Sequence, residues 1–142
     1  MENILKVIKL TLSAIGGLVG YFIGDLDGFL TALIFLMVID YITGIMVAVI
    51  ERKLSSRIGA KGIFKKLLMF MMVAIAHVVD KDILHTNEAL RTATIFFYLA
   101  NEGLSIFENS LKLGLPVPDK LKDIFLQLQE REKKGDLNGW YK

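Results

Sequence analysis

Asp40 stands in the chain with twelve uncharged residues before it and ten after it. A lone carboxylate in so apolar a run costs several kcal/mol unless a partner, water or a proton relieves it. A second polar set lies downstream. Asn101, Ser105, Glu108 and Lys112 follow i, i+4, i+7, i+11, with Glu102 and Asn109 on the flank. On a helix these share one face, and such a face does not point at lipid tails. It either hydrogen-bonds to other helices or lines water in a lumen formed by several copies. Asp40 and Glu102 both lie near the middle of their apolar segments, so the two carboxylates are expected at comparable depth.

Other chemistries fit poorly. Two intramembrane acids would suit an intramembrane aspartyl protease, but the residues flanking them match no such motif. His77 and His85 have no cysteine or clustered carboxylate at ligand spacing, so no metal site is expected. The chain contains no cysteine, which excludes disulfides and thiol catalysis. No phosphate-binding lysine accompanies the glycines of the first segment, so a nucleotide loop fails. The expectation is a non-enzymatic protein with no cofactor and no nucleic-acid partner.

These residues need elements to hold them, and the composition identifies the solvent. Of 142 residues, 54% are hydrophobic and 23% charged, with a mean hydropathy of +0.51. The charges gather in short blocks between long apolar stretches, the pattern of a membrane protein. Four segments stand out: Ile4 to Gly24, Phe29 to Ile50, Ile63 to Val79, and Ala89 to Leu113. The first follows lysines without a clean cleavage site and reads as a retained span. At about 1.5 Å per residue, the second reaches roughly 33 Å, enough to cross a bilayer core. The third is shorter and spans only if Lys65 and Lys66 snorkel to the interface. The fourth is interrupted by Arg91, Asn101, Glu102, Glu108, Asn109 and Lys112. The expected architecture is all-α, an integral membrane bundle of four transmembrane helices. It falls to three if the first or third segment lies in the interface.

Orientation follows from the connections. Arg52, Lys53, Arg57, Lys61, Lys65 and Lys66 face Glu51 alone, which marks a cytoplasmic basic loop. The acidic turns at residues 24–28 and 80–88 belong outside. Both termini then lie in the cytoplasm, with only Lys81 and Arg91 of the seventeen basic residues outside. Residues 1–113 form the membrane domain and 114–142 a cytoplasmic tail. In that tail Leu121, Ile124, Phe125 and Leu128 repeat at the spacing of a short amphipathic helix. Gly16, Gly20 and Gly24, spaced by four, make a smooth strip on which another helix can pack, either within the chain or in a second copy.

Four blocks together carry a resemblance. They are Asp40-Tyr41-Ile42-Thr43-Gly44, Ser55 to Lys66 (SSRIGAKGIFKK), Asn101 to Asn109 (NEGLSIFEN) and Gly114 to Leu121 (GLPVPDKL). In order and spacing the stretch from Val38 to Leu121 resembles the phage holin family that includes clostridial toxin-secretion holins. The resemblance implies a protein of the bacterial cytoplasmic membrane that accumulates, forms homo-oligomers and abruptly permeabilises the bilayer. Endolysin or a large toxin then leaves, without necessarily touching the holin. It also marks Asp40, Asn101, Glu102, Glu108 and Asn109 as motif positions; Tyr41 and Gly44 lie in the first block and Ser105 in the third, and they are candidates for the same polar interface. The competing reading is a constitutive small-solute channel or transporter. Such proteins often show paired half-repeats and broken helices, and no such pairing is visible here.

Overall fold

The computed structural model describes residues 1–120 together with Asp123, Leu126 and Gln127. Four long helices account for most of them: α1 (Glu2–Ile23), α2 (Gly28–Ile50), α3 (Ser56–Val79) and α4 (Ala89–Lys112). A π-helical turn, Asp80–Leu84, prolongs α3. There is no strand among the described residues.

Local chemistry sets the helix ends. The Asp27 carboxylate accepts the Leu30 N–H at 2.8 Å and caps α2. Ser55 does the same for α3 through Ile58 N–H at 3.3 Å. At the end of α4, Gly114 takes φ +82. Its N–H reaches the Leu111 carbonyl and the Leu115 N–H reaches Ser110, a Schellman closure. Pro116 then bars further helix.

Inside the bundle, Leu30, Leu33 and Met37 of α2 meet Met69 and Val73 of α3 and Ile95 of α4. The intervals of three and four are those of a helix seam. Helix α1 stands apart. It packs mainly on α3 and buries none of its own residues.

Three helical stretches are long and apolar enough to cross a membrane: α1, α2 and the continuous Ser56–Leu84. Helix α4, at 24 residues, has the length. Its composition falls short because it carries Arg91, Glu102, Glu108 and Lys112. The doubtful segment is therefore the fourth, not the first or third. The third gains length because α3 begins at Ser56, seven residues before the expected start. Arg57, Lys61, Lys65 and Lys66 thus ride on α3, and only Arg52 and Lys53 remain in the connection. The amphipathic helix expected from Leu121, Ile124, Phe125 and Leu128 lies outside the described residues.

Candidate functional site

The seam of α2 continues beyond its apolar core. Leu30, Leu33 and Met37 are followed by Asp40 and Gly44, again at steps of three and four. Traced back along α3, the stripe Val73 and Met69 reaches Lys66. On α4 the stripe runs Arg91, Ile95, Tyr98, Glu102, Ser105, Asn109. Asp40, Lys66 and Glu102 therefore occupy one layer of the bundle, each on a different helix. The Lys66 ammonium donates to Asp40 Oδ2 and to Glu102 Oε2. Side-chain exposure is 13% for Lys66, 12% for Asp40 and 0% for Glu102.

Lys66 resolves the cost of the Asp40 carboxylate. Two acids too deep for lipid share one cation, and their mutual repulsion is offset by the charge between them. Asn109 Nδ2 donates to Asp40 Oδ1 at 3.3 Å and to Thr43 Oγ1 at 3.0 Å. Glu102 Oε1 is buried with no hydrogen-bond partner. Tyr41 reaches across to α3, its hydroxyl 3.5 Å from the Gly59 carbonyl. A Cβ at Gly62 would lie 3.1 Å from the Tyr41 ring, so the glycine is what lets the ring settle there. A cavity of about 180 Å³ opens beside the cluster, bordered by Asp40, Tyr41, Lys66, Ser105 and Asn109.

A second polar layer closes the opposite end. Arg91 is wholly buried. Its guanidinium donates to the carbonyls of Ile23 at 2.8 Å and Asp25 at 2.7 Å, and to Asp27 Oδ2 at 2.7 Å. Glu88 Oε2 lies 3.3 Å from the same group. Asp80 accepts the N–H groups of Leu90 and Arg91 and the Thr86 hydroxyl. That network holds a turn in which His85, Asn87 and Glu88 all take positive φ, a conformation non-glycine residues adopt at a cost. The buried His77 Nδ1 is 3.3 Å from Glu88 Oε1, without hydrogen-bond geometry. Burial alone would raise the Asp27 carboxyl, but the Leu30 N–H and the Arg91 guanidinium outweigh it and hold it below the usual range. Its contribution to stability is therefore present above its unfolded pKa and is lost as pH falls through the lower folded value.

The expected residues divide. Asp40, Tyr41, Gly44, Glu102, Ser105 and Asn109 come together. Asn101 is exposed, and Glu108 pairs with Lys112 at 2.7 Å on the outer surface. The inward face of α4 is thus centred on Glu102 and Asn109, about 100° from where Asn101 placed it. The glycine strip divides too. Gly16, Gly17 and Gly20 have open space around them. Gly24 lies past the end of α1 at φ +85, where a Cβ would come 2.9 Å from Arg91 Nε and His77 Nδ1. Gly24 is a turn and close-approach residue, not part of the strip.

Lys66 and Arg91 are the residues whose roles sequence reasoning misses. Lys66 is expected to snorkel with Lys65, and Arg91 reads only as an interruption. The signal is present in each case. Both lie on the three-four stripe of their helix, whereas Lys65 does not.

Comparison with known proteins settles the family. Residues 17–130 match the bacteriophage holin family. The chain belongs to the bacteriophage holin family. Holins permeabilise membranes and are not enzymes. A probable holin of Bacillus phage phi105 is 38% identical over 103 residues, 72% of this chain and 75% of its own length. An uncharacterized protein of Listeria innocua is 42% identical over 84% of this chain and 85% of its own. An uncharacterized 14.9 kDa protein of Clostridium perfringens is 36% identical over 93% of this chain and its entire length. No solved structure matches. The family match spans both polar layers, so this holin-family chain carries Asp40, Lys66, Arg91 and Glu102 inside the matched region.

Proposed function

We propose that the chain inserts in the bacterial cytoplasmic membrane with both termini inside, assembles into homo-oligomers, and opens a lesion. Endolysin, or a large toxin, leaves through it. The observation that carries this reading is the Asp40–Lys66–Glu102 cluster. Within one copy the two acids share the Lys66 cation, Glu102 Oε1 keeps no partner, and a cavity of about 180 Å³ remains beside them. A folded protein of 100 residues has a radius of gyration near 13 Å, so its passage requires many copies. The same charges could line water once neighbouring copies separate the helices, which gives the cluster two environments. Helix α4 crosses as a fourth span in this reading. Arg91 and Glu102 are turned inward and paired, while Phe96 and Phe97 are exposed.

Induced expression in a bacterium tests the proposal. Growth should continue for a delay and then stop abruptly with collapse of membrane potential. Graded leakage from the onset of expression would favour a constitutive channel, and no effect would remove the lytic role.

Because the chain lacks cysteine, single cysteines can map its topology. An impermeant thiol reagent added outside should label positions 27 and 85 and spare 56 and 135. Labelling at 56 would overturn the orientation. Labelling at 135, with 27, 56 and 85 as expected, would mean that α4 does not cross and would return the bundle to three spans.

The open strip on α1 supplies a separate expectation. A Cβ at Gly20 meets nothing within 4 Å in the chain, so Gly20→Leu should leave helix content unchanged while disrupting close helix approach between copies. Crosslinked ladders in membranes should shorten for Gly20→Leu and persist for Leu18→Ala. Equal ladders and equal lysis timing would exclude the strip from assembly.

A further inference from the structure

Four cations enter the membrane-facing helix α3, and they do not point the same way. Lys66 turns inward to Asp40 and Glu102. Arg57, Lys61 and Lys65, at i, i+4 and i+8, are all exposed. Among the described residues none of the three makes an ion pair. Glu51, the carboxylate nearest in sequence, is already engaged by Lys53 at 2.9 Å, and Asp40, the next one back along the chain, by Lys66.

Length decides where these cations sit. The continuous helix Ser56–Leu84 has 29 residues, about 43 Å at 1.5 Å each, against a hydrocarbon core of about 30 Å. The excess must project into the headgroup layers. One projecting end carries Asp80, Lys81 and Asp82. The other carries Arg57, Lys61 and Lys65, with Ile58, Phe64 and Leu68 exposed beside them. Apolar flanks hold this end against the acyl boundary while the long basic stems reach phosphate depth.

From this we infer that the first three turns of α3 form a binding surface for anionic phospholipid headgroups. The protein therefore gathers lipids of net negative charge around its basic end. The surface is separate from the charge cluster, and its occupancy is read without any lytic event.

The test uses purified full-length protein with Phe64→Trp in a Trp140→Phe background, reconstituted in phosphatidylcholine vesicles containing a minor fraction of phosphatidylglycerol. Bromine is placed on the acyl chains of one lipid or the other. Each basic contact enriches an anionic lipid about fivefold at full strength, so quenching per brominated lipid should favour phosphatidylglycerol by at least about threefold. Arg57→Gln with Lys61→Gln and Lys65→Gln should bring the ratio to about one, with helix content by circular dichroism unchanged. Arg57→Lys with Lys61→Arg and Lys65→Arg keeps the charges and should keep the ratio. A parental ratio near one would overturn the inference. So would a ratio that survives the glutamine variant, or glutamine variants that alter lysis timing with the ratio intact, an outcome pointing to an acidic protein partner.

Discussion

Lys66→Met should destabilise this protein more than the loss of either acid it binds. The substitution keeps most of the side-chain volume and removes the charge between Asp40 and Glu102. Breaking a buried pair by deleting one partner costs about 3–5 kcal/mol, because the survivor is left uncompensated. Here two carboxylates are left, one of them wholly buried. Asp40→Asn and Glu102→Gln each leave a balanced pair with Lys66 and should insert normally. Their effect is expected on timing, since each alters the balance between the dry, paired bundle and a hydrated assembly. Asp40→Leu should favour the dry form and delay or abolish lysis. Unfolding in detergent and the time of potential collapse, both normalised to protein in the membrane, measure the series. The combination of Lys66→Met with Asp40→Asn and Glu102→Gln should recover much of the lost stability. If Lys66→Met unfolds and triggers like the parent, the cluster is only packing and the hydrated-lesion reading fails with it.

Arg91→Met should loosen α1 from the other three helices. A single guanidinium holds the Ile23 carbonyl at the end of α1, the Asp25 carbonyl after it and the Asp27 cap of α2, and Glu88 lies beside it before α4. Without it, two part-buried carbonyl contacts and the Asp27 carboxylate, 34% exposed, lose their donor, a loss on the order of 1–3 kcal/mol. Because α1 buries no residue of its own, the damage should concentrate at its attachment. Lys81 Nζ lies 4.3 Å from the centre of the Tyr21 ring, so Tyr21→Cys with Lys81→Cys reports the α1–α3 distance. Bifunctional crosslinking of that pair should fall severalfold when Arg91→Met is added. Gly24→Ala should act in the same direction, since its Cβ collides with Arg91 and His77. Undiminished crosslinking in both variants would show that α1 is held by its packing on α3 alone.

Much of this molecule is legible in its residues alone. Run length and charge placement yield apolar helices, because a bilayer demands length and internally satisfied backbones. The Gly114-Leu115-Pro116 stop is local chemistry, decided within a few residues; so are the Asp27 and Ser55 caps, although reading apolar runs alone overlooks them and starts the third segment at Ile63. Asp40 and Glu102 announce themselves through the cost of charge in an apolar run. Their partner does not. Lys66 and Lys65 are chemically identical neighbours, and only the stripe through Met69 and Val73 separates the one that turns inward from the one that stays exposed. Rotation by about 100° between adjacent residues matters only once α3 has neighbours, and those neighbours, 26 and 36 residues away, define which side is inside. Arg91 is similar, since its acceptors lie 64 to 68 residues back along the chain. The sequence alone determined the membrane helices, their charge asymmetry and the presence of costly acids. Only tertiary packing decided which cation answers each acid, because pairing is set by the facing of whole helices and not by the residues beside them.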